Sequence, residues 1–595
     1  MNLEQSLRTE IQKAVSVLFN QSVEQLQLQP TNAEFEGSHT LVCFPLTRIS
    51  KLKPEETANA IGNYLVEYSG IVNHFNVVKG FLNLVIADKV WAEVFAVIYA
   101  NKNYGSLPDN GKEIMIEYSS PNTNKPLHLG HLRNNFLGYS VAELYKAVGY
   151  TVHKVQIIND RGIHICKSMA AWKLYGNGET PESSGLKGDK LVGKYYVEFD
   201  KHYKAQVKEL EEKGVSKEEA EKQAPIMKLA IDMLQKWEAK DAETVQLWKT
   251  MNGWVYSGFD VTYKRMGVDF DKLYYESDTY LLGKDEVLKG VEKGIFFKKD
   301  DGSVWVDLTD DGLDQKVLLR SDGTSVYMTQ DIGTAILRFR DFPKIEGQVY
   351  TVGNEQEYHF KVLFLILDKL GYEWAKQCYH LSYGMVDLPT GKMKSREGTV
   401  VDADDLMQEM VDAARAQTQE LGKVDEMTAQ EIDELAEMIG LSALKFFLLK
   451  VDPKKRMMFD PNESIQLQGH TGPFIQYTHA RIKAILRKAS SLNIAPDAKV
   501  LKDVSALESA ERAIIFKINQ YPAKVQEAAR EYSPAIIVNY AYELAKEYNQ
   551  FYQAIPIFSE SDAGKLKFRV AFSQTTADTI KKAMALLGIR VPERM

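Results

Sequence analysis

Residues 112–158 read KEIMIEYSSPNTNKPLHLGHLRNNFLGYSVAELYKAVGYTVHKVQII. The segment Lys112–Ser119 alternates apolar residues in the pattern of a β-strand, and Val152–Ile158 is apolar enough for a second strand. Between them an apolar stripe lies on one helical face, and Gly149 stands where a helix would end. The stripe consists of Leu132, Phe136, Leu137, Val141, Leu144 and Val148. A strand, a crossover helix and a parallel strand at this length predict a doubly wound α/β sheet.

The rest of the chain divides into regions on either side of this β-α-β unit. Residues 1–105 mix helical segments, Leu3–Phe19 and Pro54–Tyr68, with apolar strand-like runs, and the turn-rich YGSLPDNG at 104–111 indicates a boundary. After about residue 403 the pattern is almost entirely helical. We predict a multidomain α/β protein with an N-terminal α/β domain at 1–108, a Rossmann-like domain at 109–402 with insertions at about 175–270 and 285–320, and an all-helical domain at 403–595.

The composition indicates an ordinary globular protein. Apolar residues make up 45% and charged residues 26% of the 595 residues, and no stretch approaches the roughly 20 apolar residues of a membrane helix. The N-terminus has an amphipathic helical pattern, not the basic-then-apolar order of a signal peptide. The three cysteines, Cys43, Cys166 and Cys378, are too scattered for a zinc site or a disulfide framework. These features predict a cytoplasmic protein without a membrane segment.

The charge is unevenly distributed along the chain. A net charge of −8 argues against a general nucleic-acid binder. However, the segment Pro453–Met595 contains 21 Lys and Arg residues against 14 Asp and Glu residues. A basic helical module on an acidic body indicates a local contact with a polyanion, and a solvated helical surface with excess lysine is the alternative.

The densest group of polar residues, Glu117–His131, lies between the first predicted strand and its helix. This position is the carboxyl edge of the sheet, where open α/β folds bind ligands. His128 and His131 are three residues apart as the helix begins, with Gly130 between them. A phosphate at a helix N-terminus gains N–H donors and the positive end of the helix dipole, and two imidazoles add further donors. A metal-binding pair or a helix cap is the alternative.

The HLGH sequence in this position resembles the HIGH motif of class I aminoacyl-tRNA synthetases. The longer string SSPNTNKPLHLGHLRNNFLG is similar to that of the arginine-specific family in particular. This resemblance implies that His128 and His131 stabilise the pentavalent α-phosphate as the arginine carboxylate attacks ATP. It also implies that Gly130 lets ATP approach the backbone and that Lys125 contacts the phosphates.

A second sequence, GKMKSREGTVV at 391–401, resembles the KMSKS loop of the same class. Lys392 and Met393 match that motif, whereas Ser395 occupies the position of its second lysine. The arginine enzymes commonly lose that lysine and keep one before the first histidine, where Lys125 stands here. Which basic residue of the loop contacts phosphate stays open. The resemblance implies that Lys392 and Lys394 are catalytic and that Met393 and Arg396 bind ATP.

A binding site for arginine requires carboxylates and planar polar partners, because a guanidinium is a permanent cation with five donors in a fork. Three segments offer such groups: the end of the first strand, SVYMTQDIGTA and VGNEQEYH. Tyr327 and Asp331 are four residues apart and share one face if that segment is helical. By residue-by-residue resemblance, the guanidinium end would be held by Glu117, Tyr327, Asp331 and Gln356, and the α-amino and carboxylate end by Ser120 and Asn122.

The helical C-terminal region offers a surface for RNA. In GHTGPFIQYTHARIKAILRK, at 469–488, Tyr477 and Arg481 belong to an aromatic and basic helix surface of the kind that reads unpaired RNA. The stretch resembles the anticodon-binding domain of the arginine enzymes. The terminal LLGIRVPERM is similar to that family's C-terminus, and this match places Tyr552 and Met595 near the anticodon loop. Packing in the core is the alternative for Tyr552.

The first 105 or so residues resemble the extra N-terminal domain of the same family, which contacts the D-loop corner of tRNA. Within KGFLNLVI, Phe81 and Asn83 match the contacting positions. The resemblance therefore extends over essentially the whole chain, with the middle insertions matching least well.

Together these resemblances imply an arginine–tRNA ligase that forms arginyl-adenylate and transfers arginine to the 3′-terminal adenosine of tRNA(Arg). ATP would bind as its Mg²⁺ complex, and we expect no zinc and no protein metal site. We also expect a monomer. The alternatives are a class I synthetase for another amino acid and a tRNA-independent nucleotidylyltransferase. A cysteine enzyme would require zinc ligands, and a nucleotidylyltransferase would not need the long helical tail.

Overall fold

The computed structural model describes residues 3–32, 34–389, 401–420, 427–496 and 506–595. Within these ranges the predicted fold class is confirmed, because a small α/β unit, a parallel-sheet unit and a set of helices follow one another along the chain. None of the helices described combines the length and the apolar content that a bilayer crossing requires. The boundaries at residues 108 and 402 stay predictions.

The N-terminal unit combines an antiparallel sheet with helices. Its elements are α1 (Leu3–Phe19), β1 (Leu28–Pro30), β2 (His39–Val42), α2 (Thr47–Ser50), α3 (Pro54–Tyr68), β3 (Val72–Val78), β4 (Phe81–Ile86) and α4 (Asp88–Ala100). The strands are arranged in the order β1-β2-β4-β3. The run VVKGFLNLVI forms a hairpin, because Lys79 and Gly80 have φ values of 48° and 80° and turn the chain between β3 and β4.

The central unit is built on a parallel sheet. Its elements are β5 (Glu113–Glu117), α5 (Leu129–Ala147), β6 (Thr151–Ile158), α6 (Ile163–Tyr175), α7 (Pro181–Ser184), α8 (Gly188–Glu212), α9 (Lys217–Gln223), α10 (Pro225–Glu238), α11 (Ala242–Met266), β7 (Lys272–Tyr275), α12 (Glu276–Thr279), α13 (Lys284–Glu292), β8 (Phe297–Lys298), β9 (Val304–Val306), β10 (Lys316–Leu319), α14 (Tyr327–Asp341), β11 (Ile345–Gly353), α15 (Glu357–Lys369), β12 (Cys378–Tyr383) and β13 (Val386–Asp387). The predicted strand–helix–strand unit is β5-α5-β6.

The five strands of the parallel sheet have the order β12-β11-β5-β6-β7. The chain therefore proceeds from β5 to one side and later returns to the other side, so the strand order reverses between β5 and β11. Ligands of open α/β sheets bind outside the carboxyl ends of the strands at such a reversal. The ranges of the two predicted insertions contain the helices α7–α11 and the strands β8, β9 and β10, which form a separate antiparallel sheet.

The C-terminal region is helical. Its elements are α16 (Ala403–Glu420), α17 (Ala429–Leu449), β14 (Met457–Met458), α18 (Pro461–Ser464), α19 (Gly472–Ser491), α20 (Ser509–Asn519), α21 (Tyr521–Arg530), α22 (Ala535–Ala554) and α23 (Ala563–Leu586). It also contacts the N-terminal unit, where the ring of Phe95 on α4 lies 5.2 Å from that of Phe568 on α23. An ion pair of 2.9 Å between Asp88 and Arg512 adds to this contact. The first and last units of the chain thus pack against each other.

Candidate functional site

The HLGH histidines cap the beginning of α5 reciprocally. His128 is the N-cap residue, and its Nδ1 accepts a hydrogen bond from the backbone N–H of Gly130 at 3.1 Å. The backbone N–H of His128 in turn donates to Nδ1 of His131, also at 3.1 Å. Because both Nδ1 atoms are acceptors, each neutral ring has its proton on Nε2. The arrangement provides two Nε2–H donors at the N-terminal end of the helix.

Burial keeps both imidazoles neutral. Desolvation lowers the pKa of His128 to about 3 and that of His131 well below its usual value, and the Lys125 charge adds to both shifts. Burial also lowers the pKa of Lys125. A Cβ on Gly130 would lie 3.0 Å from Cε1 of His128, so a larger residue there would press on the ring.

The chain that follows residue 400 lies beside the HLGH segment. The backbone N–H of Leu129 donates to the carbonyl of Val401 at 3.3 Å, and His128 and Asp402 form an antiparallel bridge. The residues predicted to act from the KMSKS-like loop lie outside the described residues: Lys392, Met393, Lys394 and Arg396. The end of that sequence is nevertheless next to the two histidines, as a joint action of the two motifs requires.

Two buried polar residues of α5 hold the surrounding loops. The Asn134 side chain accepts from the backbone N–H of Ser119 at 2.6 Å and donates to the carbonyl of Thr351 on β11 at 2.6 Å. Ser119 has a φ of 64°, so the chain turns sharply after β5. The Arg133 guanidinium donates to four backbone carbonyls, among them that of Gly384 at 2.6 Å. Asn134 thus fixes α5 where the strand order reverses between β5 and β11, and Arg133 fixes it against the loop after β12.

Three carboxylates converge at the carboxyl edge of the sheet. Glu117 ends β5, Glu276 follows β7 directly, and Asp331 lies in the second turn of α14. Burial is the main cause of the raised pKa values of Glu117 and Glu276, and the Asp331 charge adds to both shifts. Buried acids whose negative charge is disfavoured in this way suit a cationic ligand, and a guanidinium can bond more than one carboxylate at once.

Glu117 already has a cationic partner within the protein. It forms a buried ion pair with Arg338 of α14, and the rings of Tyr274 and Tyr350 lie 5.1 and 5.7 Å from the guanidinium carbon. Burial raises the pKa of Glu117, and the Arg338 charge opposes that shift. A substrate guanidinium would therefore have to share this carboxylate with Arg338.

Glu276 is a candidate that the sequence reasoning missed. Burial raises its pKa to about 7, and the charge of Arg161, whose Nη1 is 3.9 Å away, opposes the shift. The Arg161 guanidinium carbon lies 4.0 Å from the ring centroid of Tyr280, and Arg161 also pairs with Glu238 at 3.1 Å. The available signal is an acid at the carboxyl end of a strand of the sheet, a position that Glu276 shares with Glu117.

Tyr327 and Asp331 lie on α14, so the condition for their sharing a face is met. Tyr327 begins the helix and is 77% exposed. The Asp331 carboxylate is 2.5 Å from Nε2 of His359 on α15. Gln356 is exposed in the turn between β11 and α15, three residues before His359. These residues therefore occupy the same edge as the carboxylates.

Ser120 and Asn122 lie in the loop between β5 and α5. The Ser120 carbonyl accepts from Nδ2 of Asn159, the residue after β6, at 3.2 Å. Asn122 forms a backbone bridge with Asn159, and its side chain is exposed. The loop is thus held over the ends of β5 and β6.

The residues predicted to contact the anticodon are brought together by α19, α22 and the C-terminus. Tyr477, Arg481 and Met595 line a cavity of about 450 Å³, which we call the C-terminal groove, and Tyr552 lies beside Arg481. Its lining includes Tyr477, Arg481, Arg487, Arg594 and Met595. The Arg481 guanidinium carbon lies 4.9 Å from the ring centroid of Tyr477 and 5.3 Å from that of Tyr552. Tyr552 is 40% exposed, so the alternative that it packs in the core does not fit.

Phe81 and Asn83 on β4 differ in their surroundings. Phe81 is half-buried, with its ring 5.6 Å from that of the exposed Phe44. Asn83 is 2% exposed. Its side chain accepts from Oγ1 of Thr40 at 2.6 Å and donates to Oδ1 of Asn76 at 2.7 Å. Asn83 therefore links β2, β4 and β3, and a direct contact with RNA would require this network to open.

Metal-ligating groups are scattered in the part of the chain that the structure describes. There, no group of three or more His, Cys, Asp and Glu side chains could hold a metal ion. Burial raises the pKa of each cysteine thiol to about 12, so none is a thiolate at neutral pH.

Family models match most of the chain. A model described as tRNA synthetases class I (R), catalytic domain, matches residues 93–460. The DALR anticodon binding domain matches residues 475–595, and the arginyl tRNA synthetase N terminal domain matches residues 1–86.

Individual relatives point to the same family. The arginine–tRNA ligases of Flavobacterium psychrophilum and Bacteroides fragilis are each 57% identical to this chain, with 100% of both chains covered. The solved Thermus thermophilus arginyl-tRNA synthetase has a TM-score of 0.77 at 24% identity, covering 99% of this chain and 100% of that one, and shows the shared fold. The two alternatives, a different class I synthetase and a nucleotidylyltransferase, are thereby excluded. The chain belongs to the arginyl-tRNA synthetase family of class I aminoacyl-tRNA synthetases.

Proposed function

We propose that the chain ligates L-arginine to tRNA(Arg), forming arginyl-adenylate and pyrophosphate from arginine and ATP and then arginyl-tRNA and AMP. The observation that supports this function best is the pair of neutral imidazoles at the start of α5, beside a group of carboxylates at the same sheet edge. The imidazoles can donate hydrogen bonds to a phosphate during the reaction, and the carboxylates can bind a guanidinium.

The two Nε2–H groups would donate to the α-phosphate of ATP as the arginine carboxylate attacks it. The charge on the phosphate oxygens increases in that transition state, and donors that are already oriented stabilise it at little reorganisation cost. Lys125 would add a positive charge nearby, and its burial strengthens the interaction with phosphate. We include Lys392, Lys394, Met393 and Arg396 in the proposal on the resemblance of their sequence alone.

For the amino acid, Asp331 and Glu276 would contact the guanidinium, with Tyr327 and Gln356 at the mouth of the pocket. Glu117, whose carboxylate already pairs with Arg338, would contribute negative charge beneath them. Ser120 and Asn122, in the loop above β5, would hold the α-amino and carboxylate groups. A pocket of this kind rejects neutral analogues, because its buried acids would lose their charged partner.

The tRNA would bind by the C-terminal groove, with Tyr477, Arg481, Tyr552 and Met595 at the anticodon. Phe81 would contribute from the N-terminal unit. ATP would bind as its Mg²⁺ complex, with no protein zinc. We propose a monomer, because one chain supplies all of these side chains, and a cytoplasmic location, because tRNA and ATP are used there.

An assay of charging with each of the twenty amino acids tests the proposal as a whole. With total tRNA and ATP, radioactive arginine should become acid-precipitable and AMP should accumulate. Charging with a different amino acid, or adenylyl transfer without any use of tRNA, would contradict it.

Replacing either imidazole by alanine should slow the chemical step. We expect His128→Ala and His131→Ala each to lower kcat by about 10²–10³-fold, the loss typical of one oriented donor to a developing charge, with little change in arginine binding. His202→Ala, in the helical insertion, is the control. Because both imidazoles are neutral, kcat should show no histidine titration between pH 6 and 8. An equal loss in arginine affinity would contradict the assigned role.

Removing one carboxylate of the pocket should weaken arginine binding. Asp331→Asn and Glu276→Gln each remove a charge-assisted hydrogen bond worth about 1.5–3 kcal/mol, so the KM for arginine should rise about ten- to a hundredfold. Asp278→Asn, an exposed acid on the same short helix as Glu276, should leave it unchanged. If Glu276→Gln behaves like Asp278→Asn, Glu276 does not line the arginine pocket.

The pH dependence of arginine binding should follow Glu276. Its pKa of about 7 means that the carboxyl becomes protonated as the pH falls through neutrality, and the neutral form cannot pair with a guanidinium. The KM for arginine should therefore rise below pH 7, by up to about tenfold per pH unit. The Glu276→Gln variant should lack this rise. A wild-type KM that is constant from pH 8 to pH 6 would contradict the assignment.

Truncation of Tyr552 should affect tRNA and not the small substrates. Loss of one stacking partner costs about 1–3 kcal/mol, so Tyr552→Ala should raise the KM for tRNA about ten- to a hundredfold while the KM for ATP is unchanged. Its exposure predicts an unchanged melting temperature. Phe551→Ala, at the buried neighbouring position, should lower the melting temperature and leave the KM for tRNA unchanged. A destabilised Tyr552→Ala protein with normal tRNA KM would assign Tyr552 to packing.

A further inference from the structure

A second basic cavity lies where the catalytic unit meets the C-terminal helices. This junction cavity has a volume of about 450 Å³, and α5, the end of α11, α17 and the chain after α23 form its walls. Its cationic lining residues are Lys264, Arg265, Lys445 and Arg590. Among the described residues no carboxylate lines it, although the chain as a whole has a net charge of −8. The excess of positive charge is therefore local.

Lys445 supplies a buried ammonium group to this cavity. It is 5% exposed, and its Nζ donates to the carbonyl of Gly588 at 2.5 Å. Gly267 ends α11 and Gly588 follows α23, both with positive φ, and a Cβ on either would lie 3.5 Å from Nζ. The negative ends of two helix dipoles thus favour the charged lysine. Burial and the charge of Arg590 disfavour the charged form, and they lower the pKa of Lys445 to about 7.

The other cations of the cavity differ in their partners. Arg265 forms two hydrogen bonds to Glu437, at 2.9 and 3.2 Å, so its charge is largely compensated. Lys264 and Arg590 are exposed, and neither has an ion pair within the described ranges. Three like charges around one cavity repel one another, and an anion bound between them would relieve that repulsion.

The junction cavity is connected to the C-terminal groove by one short piece of chain. Residues 588–590 line the first cavity, and Arg594 and Met595 line the second. Arg590 and Arg594 are four residues apart, a distance of at most about 14 Å along the chain. A single RNA strand could therefore contact both.

We propose that the junction cavity binds a backbone phosphate of tRNA, between the anticodon contact and the catalytic unit. This inference rests on the proposed tRNA partner. Lys264, Lys445 and Arg590 would surround the phosphate, and the apolar walls formed by Leu441 and Ile589 would face the ribose. Contacts of this kind position the nucleic acid without reading its sequence.

The test compares exposed residues of the cavity with matched exposed residues elsewhere. Lys264→Ala and Arg590→Ala are expected to raise the KM for tRNA by about three- to tenfold, and each should reduce the slope of log affinity against log salt concentration by about one. The KM values for arginine and ATP should not change. Lys249→Ala on α11 and Arg530→Ala on α21, both exposed, should behave as wild type.

Ethylation interference identifies the phosphate itself. At least one ethylated tRNA phosphate should block binding to the wild type but not to Arg590→Ala, and the lack of such a position would overturn the proposal. Unchanged tRNA KM and salt slope in both variants would also overturn it, while wild-type charging with arginine would leave the proposed function intact. If the cavity binds free phosphate and not RNA, inorganic phosphate should inhibit Arg590→Ala less than the wild type while the KM for tRNA stays unchanged. That result would exclude the RNA contact.

Discussion

The reciprocal cap at the start of α5 is the interaction on which the rest of the site depends. Each HLGH imidazole uses Nδ1 to satisfy a backbone N–H of the first turn, so the tautomer of both rings follows from the capping of the helix. The same helix uses Asn134 to hold the ends of β5 and β11, and Arg133 to hold the loop between α17 and β14. A change in the position of α5 would therefore move the two imidazoles, which we propose as phosphate donors, together with the sheet edge and the helical domain.

The electrostatics of the proposed arginine pocket depend on arginines of the protein itself. Arg338 is buried against Glu117, and Arg161 approaches Glu276 from a position stacked on Tyr280. Without such cations, several acids in one poorly solvated place would take up protons and lose their attraction for a substrate guanidinium. Arg338 and Arg161 oppose this protonation, although burial still raises the pKa of both acids, and Asp331 is the acid of the proposed pocket that is most open to a substrate.

The surfaces proposed for tRNA carry an excess of positive charge, in contrast to the acidic group proposed for arginine. The C-terminal groove and the junction cavity place arginines and lysines where few carboxylates lie, and aromatic rings support the Arg481 guanidinium. An acidic body with a local basic track would attract one polyanion to one face and repel it elsewhere. This distribution is consistent with a net negative enzyme that acts on RNA.

By itself, the sequence determined the β-α-β unit, the bounds of α1 and α3, and the position of the two histidines at the start of a helix. Helical periodicity and helix caps depend on residues that are close together in the sequence. Through resemblance it also proposed Asp331 and Tyr552 as site residues, and these assignments stay predictions. Only the tertiary structure decided that Arg338 pairs with Glu117, that Glu276 joins the acids and that Asn83 lies inside a sheet network. These contacts join residues distant along the chain, and burial sets their charge and accessibility, so no local pattern can reveal them.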